Sequence, residues 1–260
     1  MPFTLTHVAA ILPIAASAPR ALPFSALVIG SMIPDVPLFV PLPLTYATTH
    51  SISGIFVACV PLGLVCFLAF QCLMKRPFLA LLPDAIRGRF AAWANPIVEP
   101  TFSFFASSSL AIAIGAATHV FWDSFTHRGR WGSMLFPWLN ERVLTIAGQD
   151  VAGHKALQYG STLVFLPLIV LLFGYWLIRQ RPQPLAGLPA LPGHWRAAVY
   201  MIALAIPVGT TLIVWTGKRL TPYMKLGRSI TVSGFVLGLF LLIYCVGYHI
   251  AFRRASWRQA

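Results

Sequence analysis

Residues 51–74 read SISGIFVACVPLGLVCFLAFQCLM, without a single charged side chain. As a helix, that run is long enough to cross a hydrocarbon core of ~30 Å. One such run fits inside a soluble protein as a buried core helix. Here four more follow, at 100–122, 156–178, 197–217 and 229–252, and none holds an Asp, Glu, Lys or Arg. A chain of 260 residues has no soluble core large enough to bury all five. The composition agrees: 58% of residues are hydrophobic and 10% charged, where a soluble domain carries about one quarter. The expectation is an all-α, polytopic membrane helix bundle. Five transmembrane helices are expected near 51–74, 103–126, 158–178, 197–217 and 229–252.

The flanks are organised by proline. Residues 5–17 read as a short apolar helix with Thr4 or Thr6 as N-cap, broken at Ala18-Pro19-Arg20. A second short segment, 23–33, stops at Pro34-Asp35-Val36-Pro37, and Pro41 and Pro43 keep the next stretch irregular. Neither segment is long enough to require a crossing. Residues 75–102 and 128–157 read as polar connections, and 180–194, with Arg181-Pro182-Gln183-Pro184, as a linker. No internal repeat is visible. Residues 1–178 thus hold every candidate functional residue, and 179–260 read as a C-terminal membrane anchor.

The net charge of +13 lies mostly between the apolar runs, which points to lipid headgroups and not to nucleic acid. The cations divide almost evenly between the two sides of a five-span topology, so they do not set its orientation. Ala15-Ala16-Ser17-Ala18 faintly resembles a cleavage site, but no Lys or Arg precedes it as a signal peptide needs. Cys59, Cys66, Cys72 and Cys245 sit in apolar runs, form no CxxC, and read as small hydrophobes.

The seven His and six acidic residues are unevenly placed. His7, Asp35, His50, His119, Asp123, His127, Asp150 and His154 all precede the third span. With five spans, they gather at helix ends on one face of the membrane. The densest stretch is His119-Val-Phe-Trp-Asp123-Ser-Phe-Thr-His127, an i, i+4, i+8 series that lines one stripe of a helix. Ionisable groups at the end of an apolar span are costly and therefore usually functional. Imidazole with carboxylate suits zinc, manganese or iron. A proton relay, or plain His–Asp pairing, is the competing reading. Taken alone, His50 reads as an interfacial residue and Asp35 as a turn residue; as a set they read as ligands. Asp150, His154 and Gln158 repeat the i, i+4, i+8 spacing, with Gln158 a poor zinc ligand. Arg128-Gly129-Arg130-Trp131-Gly132 is a flexible basic loop able to hold a phosphate, or else an interfacial charge beside an aromatic anchor. His194 and His249 fit no cluster. P-loop, GxSxG, HExxH and GxGxxG motifs are all missing.

Several stretches together resemble a bacterial membrane family catalogued as domain of unknown function 4184. They are Met1 to His7, Ala26 to Asp35, Thr49-His50-Ser51, Thr118 to His127, and Lys155 to Thr162. That family is similar to membrane-bound metal-dependent hydrolases and, more distantly, to the zinc-dependent phospholipase C and single-strand nuclease group. The resemblance implies a first metal on Asp35, His50, His119 and Asp123. It implies a second on His7 with Asp123 as bridge, and a third on His127 and His154. Two features depart from that group's pattern: Gln158 stands where it has Glu, and His7 is not at a processed N-terminus.

The function expected is metal-assisted hydrolysis by an integral, multi-pass protein of the bacterial cytoplasmic membrane. The cofactor is a divalent metal, zinc first, with manganese or iron as alternatives. Asp123 and Asp35 are the expected catalytic carboxylates, and Arg128 and Arg130 the expected substrate contacts. Membrane lipids are the expected partners, and the substrate is a lipid or small-molecule phosphoester. A transporter, or a scaffold stapled by metal, is the alternative.

Overall fold

The computed structural model describes residues 3–18, 21–95, 97–146, 148–183, 191–217 and 220–257. Residues 184–190 of the linker expected at 180–194 lie outside them. The longer helices are numbered in chain order. Two short ones, α1 (Val8–Ser17) and α2 (Phe24–Met32), precede five that are long and apolar enough to cross a membrane. These are α3 (Ile52–Leu81), α4 (Phe102–Thr126), α5 (Gly153–Arg179), α6 (Gly193–Thr216) and α7 (Pro222–Trp257). The protein is a multi-pass, helical membrane protein.

The first span is longer than its charge-free run, because the helix continues through Lys75 and Arg76 to Leu81. Lys75 is tolerated because its Nζ donates to Gln71 Oε1 at 2.9 Å and to the Asn95 carbonyl at 2.7 Å. Two π-helical turns, Ile55–Cys59 and Phe70–Met74, shortly precede Pro61 and Pro77. A proline removes an N–H and crowds the carbonyl four residues back, and a widened turn absorbs that misfit.

Neither Thr4 nor Thr6 caps the first helix: Thr4–His7 is a 3-10 turn with no side-chain cap. The loop at 128–157 also departs from expectation. It holds a short helix, Trp131–Leu135, and a hairpin of β1 (Arg142–Ile146) and β2 (Gln149–Ala152). Asp150 lies on β2, exposed, bonded to Thr145 and Arg142. It therefore cannot begin a helical series with His154 and Gln158, whose helix starts only at Gly153.

By contacts, the chain forms two units. Residues 1–37, 42–67 and 99–179 make the first, and 38–41, 68–98 and 180–260 the second. In the first unit, α2 lies against α4 at backbone distance. A Cβ on Gly30 would stand 2.4 Å from the Ile112 carbonyl oxygen, and one on Gly115 would stand 2.4 Å from that of Leu27. Only glycine permits this approach. Below the polar residues of this unit, Ile33, Ile55, Cys59, Ala116 and Val120 form a buried apolar cluster.

In the second unit α6 and α7 pair, with Thr210 and Ser233 hydroxyls 2.6 Å apart. The Leu73 carbonyl, four residues before Pro77, meets His249 Nε2 at 2.9 Å, and the Pro77 carbonyl accepts from Tyr244 at 2.9 Å. His249 thus has a structural partner.

Candidate metal centre

Three segments of the first unit deliver four side chains to one point. Asp35 closes a 3-10 turn after α2, His50 ends the helical turn Tyr46–Thr49, and His119 and Asp123 stand one turn apart near the end of α4. Thr49 Oγ1 ties two of these segments together by donating to the Pro34 carbonyl at 2.8 Å. All four residues are buried, and one ligand atom from each lies within 4.8 Å of the other three.

Five of the six distances among these ligand atoms are those of a coordination shell. His50 Nε2 and His119 Nε2 are 3.2 Å apart. Asp35 Oδ1 is 3.6 Å from each of them, and Asp123 Oδ2 is 3.5 and 3.6 Å away. A tetrahedral ion with ligands at ~2.0–2.2 Å spaces them about 3.3–3.6 Å apart.

The outer atoms of the same side chains fix which atoms face inward. His119 Nδ1 lies 2.7 Å from the Ser31 carbonyl, which Pro34, three residues on, has no N–H to engage. His50 Nδ1 lies 3.0 Å from the Tyr46 carbonyl. A carbonyl can only accept, so each Nδ1 carries a hydrogen, and a neutral ring then presents its Nε2 lone pair inward. Asp35 Oδ2 accepts from Thr4 at 2.8 Å while Oδ1 has no hydrogen-bond partner. Asp123 Oδ1 accepts from Thr126 at 3.3 Å. Two lone pairs and two carboxylate oxygens thus converge in a buried space, and a cation satisfies all four together. The group can hold a metal ion.

His7 comes into the same space by another route. Its ring stacks on His119 with centroids 3.7 Å apart, and its Nε2 is 3.4 Å from Asp123 Oδ1. Both ring nitrogens are buried without a hydrogen-bond partner. Burial lowers its pKa to about 3, so His7 is neutral and keeps a lone pair.

The remaining candidates do not join the four. The helical stripe stops at Thr126; His127 has extended backbone angles, and its Nδ1 turns back to the Asp123 carbonyl at 3.1 Å. Burial lowers its pKa. His154 sits at the start of α5, with Nδ1 2.9 Å from the Leu139 carbonyl. Gln158 is buried and accepts from Lys155 at 2.8 Å. Among the described residues, the converging group contains neither His127 nor His154. Arg128 is exposed, while Arg130 lies over the Tyr46 ring at 5.5 Å. Gly129, at φ 74°, makes the turn between them, but Gly132 is no hinge: a Cβ there would stand 2.4 Å from Ser124 Oγ.

Sequence reading missed Tyr46. Its ring stacks on His50 at 3.7 Å, and its hydroxyl donates to Asp123 Oδ2 at 3.1 Å. Burial, and next the Asp123 charge, raise its pKa, which keeps it a donor. The available signal was spacing, since Tyr46 precedes His50 by one helical turn.

No curated protein and no solved structure matches the chain. The profile described as Domain of unknown function (DUF4184) matches residues 1–248, a span that contains His7, Asp35, Tyr46, His50, His119 and Asp123. Over nearly its whole length, centre included, the chain belongs to the DUF4184 family.

Proposed function

We propose that this protein is a metal-dependent phosphoester hydrolase of the bacterial cytoplasmic membrane, with zinc on Asp35, His50, His119 and Asp123. The carrying observation is the surplus of polar groups around a shell that is already complete. A metal that only stapled helices would need four ligands. Here His7 faces Asp123 with two unpartnered buried nitrogens, Tyr46 donates to the ligand carboxylate, and Arg130 covers Tyr46. The order of the motifs, similar to that of the zinc-dependent phospholipase C group, supports the same reading.

A cation held by Asp35, His50, His119 and Asp123 would supply Lewis acidity to the phosphoester and would lower the pKa of a bound water towards ~7. The chain's own residues do the rest. His7 is a neutral base beside Asp123 Oδ1, placed to take a proton. The Tyr46 hydroxyl, held by its stack on His50, is a proton donor for a departing oxygen. Arg130 supplies charge for the phosphoryl group where water is scarce. Asp35 and Asp123 hold the cation, and Asp123 also orients His7.

A second reading, a metal-stapled scaffold, is favoured by the four protein ligands at tetrahedral spacing, because catalytic zinc usually keeps one position for water. Asp123→Asn separates the two. Release of phosphorylated headgroups from mixed-lipid vesicles, with zinc or manganese and again with chelator, is expected to fall to background while the variant stays folded in detergent. Equal turnover in wild type and variant across lipid classes and soluble phosphoesters would overturn the hydrolase reading.

A further inference from the structure

The segment after α4 does not run out into water. The chain turns at Gly129 and comes back along the outside of the helix it has just left. Gly132 lies against Ser124, and the Trp131 ring lies 5.4 Å from that of Phe125 and 5.7 Å from that of Phe121. Phe121 is five residues before the last helical residue, Thr126, which at 1.5 Å per residue is roughly 7 Å back along the span. Phe136 adds to the same stack, 6.1 Å from Phe125. An aromatic surface therefore continues without a break from the flank of a spanning helix onto the loop.

That surface is uncovered. Met134 and Leu135 are 66% and 65% exposed, and Trp131, Phe136 and Trp138 are about half exposed. The hairpin is two-faced. Thr145 and Asp150 pair across it and Arg142 reaches Asp150, while Leu144, Ile146 and Val151, with Gln149 at the turn end, occupy the opposite side. Exposed aromatic and aliphatic side chains of this kind are costly in water and favoured at the boundary between headgroups and acyl chains.

We infer that residues 131–146 form a re-entrant platform seated in the bilayer at headgroup depth, beside the metal centre. The occupant of its apolar face is lipid, because that face continues the exposed flank of α4 and both ends of the loop are ends of spans, Thr126 and Gly153. Arg130, which begins the platform, is then held among the headgroups while its guanidinium covers Tyr46. The platform does not depend on hydrolysis. A corollary that does rest on that reading is the substrate class, a bilayer phospholipid and not a water-soluble ester.

Depth-resolved spin labelling of the full chain in liposomes tests the placement. Labels at Met134→Cys and Leu135→Cys, with Cys59, Cys66, Cys72 and Cys245 replaced, are compared with Asp150→Cys as the aqueous reference and Val170→Cys as the lipid reference. Collisions with oxygen are expected to exceed those with a water-soluble nickel chelate several-fold at 134 and 135, at a shallower depth than at 170. A second measurement leaves the cysteines alone. The share of tryptophan fluorescence quenched by shallow brominated lipid is expected to fall in Trp131→Phe/Trp138→Phe. Labels that behave like Asp150→Cys would overturn the platform, as would labels shielded from both reagents, which would mean that protein covers this face. An unchanged quenchable share would overturn it too.

Discussion

Each of the two units buries polar groups in a membrane setting, yet they solve the problem in opposite ways. In the second unit every donor named above meets an acceptor nearby. His249 and Tyr244 meet the carbonyls of Leu73 and Pro77, and Lys75 meets Gln71 and Asn95. In the first unit, Asp35, His50, His119 and Asp123 bring acceptors together, and their own donors are spent on the Ser31 and Tyr46 carbonyls. A buried polar group that is satisfied by its neighbours explains itself. A buried set made only of acceptors calls for a cation from outside.

Removing one of those acceptors is the strongest way to break the comparison. His119→Ala is expected to lower metal affinity by at least ~100-fold, more than the loss of an outer hydrogen bond costs. It should also abolish the stabilisation that added zinc gives to wild type, about 4 kcal/mol when free metal is a thousandfold above Kd. Metal analysis of detergent-purified protein, together with a thermal melt with and without chelator, reads both. Wild type that binds no metal, and melts alike in chelator, would erase the contrast between the units.

A smaller effect is expected from Gly115→Ala, which touches no ligand. Its Cβ would stand 2.4 Å from the Leu27 carbonyl oxygen and 2.6 Å from the Ser31 backbone nitrogen. Overpacking of this kind costs about 1–3 kcal/mol. Because α2 carries the Ser31 carbonyl and leads into Asp35, the variant should lose metal affinity as well as thermal stability. Lower stability with unchanged affinity would show that α2 does not hold the centre in register.

The smallest change is expected in the second unit. His249→Leu leaves the Leu73 carbonyl without its partner, which for a hydrogen bond inside a membrane costs on average about 0.6 kcal/mol. Metal content should not move. A loss of metal in this variant would mean that the two units are not independent in the way their hydrogen bonding suggests.

The spans were legible because hydrocarbon excludes charge, so an uncharged run announces a crossing. Their ends were less so. Lys75 fell inside a helix because local acceptors made its burial tolerable, and the hairpin at 142–152 went unseen because five- and four-residue strands leave little pattern. His119 and Asp123 could be paired from spacing, since four residues are one turn of a helix. At His127 the helix had already ended, yet its ring still reaches Asp123 Oδ2 at 3.5 Å; the same rule failed at Asp150, where the helix had not begun.

By itself, then, the sequence determined that this is a helical membrane protein with all six of its acids and five of its seven His before the third span. It also determined that these are metal-ligand types, because burying such groups in an apolar setting is too costly without a purpose. Only the tertiary structure decided which of them meet. Convergence of Asp35, His50, His119 and Asp123 depends on the close approach of α2 to α4 at Gly30 and Gly115, and on the Thr49 bond to Pro34. It depends too on which ring nitrogen each carbonyl engages. These are relations between segments distant in the chain, set by packing and hydrogen-bond direction, and no local period of the sequence encodes them.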